Sequence, residues 1–76
     1  MILEVLTEEI RLGVHKDDEL ILAIAKLNGI RVSSVVRWLT NNDESLTKAK
    51  NLTLIRTHLG LAEDAIITEK KELEEA

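Results

Sequence analysis

The stretch from Ile21 to Thr40, ILAIAKLNGIRVSSVVRWLT, constrains the fold of this chain most, because its residue types and spacing describe two short helices meeting at a tight corner. Ala25 is small enough for a second helix to approach closely. Gly29, four residues on, takes the left-handed conformation that ends a helix without a Cβ penalty. Ile30 plugs the corner. Val35 and Trp38 then face back across the interhelical angle toward Ile24 and Leu27, with Trp38 as the core anchor of the second helix. The opposite side of that helix is left open and carries Arg31, Ser33, Ser34, Arg37 and Thr40.

The remainder of the chain is read outward from this corner. Its 76 residues allow one domain, spanning 1–76. A chain of this size buries only about 60% of the surface its unfolded form exposes, so its core is thin and dimerisation would help it. Apolar content comes almost wholly from Leu, Ile, Val and Ala, with no proline and three glycines, a composition that favours helix. Each glycine reads as a helix stop followed by an aliphatic residue: Gly13-Val14, Gly29-Ile30 and Gly60-Leu61. The expected fold class is therefore all-α, a compact bundle of about five short helices near 2–12, 17–28, 32–40, 46–59 and 62–73, ending in a frayed acidic C-terminus. In the first helix Leu3, Leu6 and Ile10 share one face, while Glu4, Glu8, Glu9 and Arg11 mostly face solvent. In the fourth, Ala49, Leu52, Ile55 and Leu59 form the apolar stripe.

Charge is distributed unevenly along the chain. The net value is -4, yet Leu20 to Gly60 carries six basic residues against Asp43 and Glu44, and the segments on either side are acidic. The one basic segment of the three thus contains the helical corner. No apolar run approaches the roughly 18 to 20 residues of a membrane span, and the start lacks the basic opening of a signal peptide. The absence of cysteine excludes disulfides and thiolate metal sites. A cytoplasmic protein without a membrane partner is expected, and Met1 with the acidic end at Ala76 suggests a whole protein.

The segment from Ile24 to Ile66 resembles the phage-repressor and Cro type of helix-turn-helix domain, through Ile24-Ala25, Gly29-Ile30, Val35, Trp38-Leu39 and a later helix ending Ile55 to Leu59-Gly60-Leu61. The resemblance implies a bundle whose third helix lies in the DNA major groove while the second crosses the backbone, acting as a dimer on a two-fold symmetric operator. Matched by position, Ser33, Ser34 and Arg37 would read bases, with Arg31 and Val36 at the edges and Lys48 and Lys50 on phosphates. The chain departs from the family in three places, the acidic ends being one of them. Ile21 stands where a polar residue, often Gln, begins the second helix, and Arg31-Val32 stands where a Ser or Thr often caps the third. That cap is either Arg31, without a side-chain acceptor, or Ser33.

On chemistry alone, the fork of Arg37 suits guanine, with a phosphate contact or a salt bridge as the simpler alternative. Lys26, Lys48 and Lys50 suit phosphates. Ser33 and Ser34 are equally suited to contacting DNA and to starting a helix. His15 and His58 lack a Cys or a spaced His partner and read as surface or capping residues rather than metal ligands. The carboxylates cluster in helix first turns and the tail, with no sign of a pair across a pocket, and no phosphate loop or nucleophile–base pair is present. The expectation is a non-enzymatic regulator that binds double-stranded DNA as a homodimer, with no cofactor, metal or small-molecule substrate. The exposed side of the first helix, or the region of Ile66, Ile67 and Leu73, would supply the dimer surface. The alternatives are a protein-interaction adaptor or antirepressor on the same scaffold, and an excerpt of a larger regulator.

Overall fold

Thr7 decides how the chain begins, because its hydroxyl accepts the Ile10 N–H at 3.4 Å and so starts a helix at Glu8, six residues later than the apolar pattern suggests. In the computed structural model, which describes residues 2–72, the segment before it is a strand, β1 (Ile2–Leu6), followed by α1 (Glu8–His15). Helices α2 (Asp18–Asn28) and α3 (Val32–Asn41) come next, then a 3-10 turn (Glu44–Thr47), α4 (Ala49–Leu59) and a second strand, β2 (Thr68–Glu72). The result is a mostly helical domain of four short helices with a small antiparallel sheet. Its registers pair Leu6 with Thr68, Glu4 with Lys70 and Ile2 with Glu72.

Several expectations are corrected here. The chain is not all-α, and the predicted first and fifth helices give way at 2–6 and 68–72 to the strands that close the domain. Residues 73–76 of the expected frayed end lie outside the described residues. Alternation in the strand puts Leu3 and Leu6 on opposite faces, so they cannot share a helical stripe with Ile10. Gly13 is no stop: α1 runs through it to His15. The helix expected from residue 46 starts at Ala49, after the 3-10 turn.

The core is built from one face of each helix. Leu6, Val14, Leu20, Ile24, Val35, Leu39, Leu46 and Ile55 are fully buried, with Ile21 and Ala25 beside them. On α3 the pair that enters this core is Val35 and Leu39, whereas Trp38 packs half-buried at its rim. Leu27, expected to face inward, is exposed. Ile67 is buried, and its carbonyl accepts the Thr7 N–H at 3.0 Å, which removes it from any dimer surface; Ile66 beside it is exposed. Asn51 is buried on α4, and both polar atoms of its amide are bonded: Nδ2 donates to the Ser45 carbonyl at 2.8 Å, and Oδ1 accepts from Asn28 Nδ2 at 2.8 Å. Asn28 Nδ2 also donates to the Ile24 carbonyl, so this network fastens α2 to α4 and to the 3-10 turn. No helix among the described residues is long and apolar enough to cross a membrane.

Candidate nucleic-acid interface

Helix α3 owes its exposure to the turn before it. Gly29 ends α2 in the left-handed region (φ 65°, ψ 35°), and the Ile30 N–H closes back on the Ala25 carbonyl at 3.0 Å. That is the Schellman closure expected from Gly29-Ile30. The chain reverses within Gly29, Ile30 and Arg31, and α3 then lies across α2 through Val35 and Leu39. At its other end Asn42 takes a left-handed conformation (φ 51°), with the Asp43 N–H returned to the Trp38 carbonyl at 2.9 Å. Arg11, expected in solvent, is half-buried instead, and its Nη1 donates to the Leu39 carbonyl at 3.2 Å. A cation there suits the negative end of α3, whose own last turn has no basic residue.

With Val35 and Leu39 turned inward, the helical repeat sends Ser33 and Arg37 outward, and both are exposed. Arg31 is exposed at the start of the helix. Thr40 is also exposed, but its hydroxyl donates to the Val36 carbonyl at 2.9 Å. Ser34 and Val36 are half-buried on the flanks, Val36 packing against the core. The outward face of α3 is thus narrower than the sequence suggests. The remaining candidates, Lys26 on α2 and Lys48 and Lys50 at the start of α4, are exposed on other elements. Asn41 is the last residue of α3, one position beyond the predicted end, and it is exposed too. The Asn41-Asn42 pair reads as a turn, and its four-residue spacing from Arg37 was the available signal for a longer helix.

The helix starts differ in a way that bears on chemistry. In α1 the acceptor is Thr7, and in α2 it is Asp17, whose Oδ1 receives the Leu20 N–H at 3.1 Å. Each is followed by acids, Glu8-Glu9 and Asp18-Glu19. Asp17 Oδ2 also lies 3.1 Å from His58 Nε2, which accounts for that histidine. Helices α3 and α4 start on Arg31 and Lys48, both extended, and neither has a side-chain cap. The choice between Arg31 and Ser33 is thereby settled for Arg31. Backbone N–H groups at these two starts have no side-chain acceptor and stand beside a cation, an arrangement suited to an anion such as a phosphate. Among the described residues no group of three or more His, Asp or Glu side chains is placed to hold a metal ion.

No protein-family model, curated protein or solved structure matches the chain.

Proposed function

We propose that this protein binds double-stranded DNA in a sequence-specific manner, as a repressor-like transcriptional regulator of a bacterium or phage. In this reading α2 and α3 form a helix-turn-helix of the phage-repressor type, and α3 enters the major groove. The observation that carries it is the outward face of α3, with Ser33 and Arg37 exposed and an uncapped, basic start at Arg31. Arg31, Lys26, Lys48 and Lys50 supply phosphate contacts, while Arg37 and Ser33 supply base contacts. Ser34, Val36 and Thr40 play a smaller part, limited by their burial or by the bond to the Val36 carbonyl. A homodimer doubles the contact surface and occupies the operator by steric exclusion in the cytoplasm.

The test is titration of the pure protein against pooled duplex fragments at two salt concentrations. With roughly four to six phosphate contacts per subunit, log affinity falls with log salt at a slope of about -4 to -5 per subunit. Failure to bind any fragment at low salt overturns the proposal. One observation favours a protein-binding adaptor instead: Asp17, Asp18 and Glu19 place acids at the start of α2, the helix that would cross the DNA backbone. An adaptor of this kind retains a protein partner in an Arg37→Glu, Lys50→Glu variant and never binds DNA.

A further inference from the structure

We infer that Asn41 is a specificity-determining residue of the same surface, reading an adenine one or two base pairs from the pair read by Arg37. This rests on the DNA-binding reading and adds a residue to it. Ser33, Arg37 and Asn41 recur at four-residue intervals along α3, and all three are exposed, so they form one outward row. The helix remains regular through Asn41 because the left-handed break falls on Asn42. Thr40, the neighbouring candidate, already spends its hydroxyl proton on the Val36 carbonyl. Just beyond Asn41 the surface changes character. Asp43 caps the 3-10 turn by accepting the Ser45 N–H at 2.8 Å, and Glu44 is exposed. Asn41 is therefore the last neutral side chain of the row before acids begin.

The chemistry of the pair sets the prediction. An asparagine amide offers one donor and one acceptor that match adenine N7 and N6, as the arginine fork matches guanine O6 and N7. Arg37 and Asn41 are separated by one helical turn, about 6 Å along the axis. Base pairs advance by about 3.4 Å, so the two contacts fall on adjacent base pairs or on pairs one apart. The preferred half-site carries a guanine and an adenine in that relation.

The experiment is binding-site selection from a randomised duplex pool with the wild-type chain, Arg37→Ala, Asn41→Ala and Asn41→Asp, followed by titration of the selected site and its single-base variants. Asn41→Ala is expected to lose a roughly 10- to 100-fold preference at the adenine while keeping the guanine preference and the salt slope. Asn41→Asp, which can only accept, is expected to switch that position toward cytosine. Unchanged base preference in both Asn41 variants overturns the inference and leaves the DNA-binding reading standing. If the wild-type chain selects no sequence and binds none at low salt, both fail together.

Discussion

Helices α1 and α2 begin on side-chain acceptors, whereas α3 and α4 begin on Arg31 and Lys48 with none. A cap contributes about 1 kcal/mol, and a cation at a helix start opposes the macrodipole. The second pair of helices is thus less stable at its starts than it needs to be, in a chain that uses capping elsewhere, including Asp43 at the 3-10 turn. Stability alone does not explain the pattern. In the DNA-binding reading proposed above, a phosphate would satisfy the free N–H groups and the side-chain charge together.

The most direct way to break this comparison is to cap both starts. Arg31 and Lys48 have extended backbones, φ -79° and -63° with ψ near 150°, already suited to an N-cap aspartate. The double variant Arg31→Asp, Lys48→Asp is expected to weaken DNA binding on the order of 100-fold near physiological salt and to reduce the salt slope by about two. Thermal unfolding of the same variant should move the other way. Each new cap adds about 1 kcal/mol, and a domain of this size gains roughly 4–8 °C per kcal/mol. A variant that is both more stable and poorer at binding supports a start reserved for phosphate. Unchanged affinity assigns the phosphate contacts elsewhere, and a lower melting temperature removes the argument from capping.

The converse change acts on a start that is already capped. Asp17→Ala removes the acceptor for the Leu20 N–H and the partner of His58, and is expected to cost about 1–2 kcal/mol in denaturant unfolding. Asp17→Asn keeps an amide oxygen for the cap and should recover most of that loss. If the two variants are equally damaged, the contact with His58 outweighs the cap. DNA affinity per folded molecule should not fall in either, since each removes a negative charge.

The two kinds of start were unequally legible in the sequence. The α2–α3 corner was readable because its determinants are local: a small residue, a glycine that must adopt positive φ, and a four-residue apolar rhythm. The sheet was not, because its two strands come from opposite ends of the chain and pair Glu4 with Lys70 and Leu3 with Lys71. Thr68-Glu-Lys-Lys-Glu has helix-forming side chains, and only pairing with β1 makes it extended. Local cues did exist. Thr7-Glu8-Glu9 is a helix start, and Ile66-Ile67-Thr68 is a β-branched run. Arg11 and Asn51 escaped for a different reason, since a polar residue is expected in solvent until its buried partners are known. On the candidate interface, exposure of Arg31, Ser33 and Arg37 followed from periodicity, whereas the loss of Thr40 to a backbone carbonyl and the extension to Asn41 depend on where the helix closes.

The smallest expected effects separate helix ends from helix interiors, and they come from two glycines. A Cβ built on Gly13 or on Gly29 meets no heavy atom within 4 Å, so space does not distinguish them. Backbone conformation does. Gly29 has φ 65°, where an L side chain is strained by roughly 1–2 kcal/mol. Gly13 lies inside α1, outside the positive-φ region, and alanine there gains about 0.5–1 kcal/mol by lowering the entropy of the unfolded chain. Gly29→Ala should therefore destabilise the domain, and its DNA affinity should drop beyond the unfolded fraction, because the turn sets the angle of α3. Gly13→Ala should raise the melting temperature by a few degrees with affinity unchanged, since α1 meets α3 on its core side, where Arg11 bonds the Leu39 carbonyl, and not on its outward face. A loss of stability at Gly13 would mean that its backbone is not helical and that α1 has its C-terminal boundary there. Amide exchange across Thr7 to His15 would locate that boundary independently.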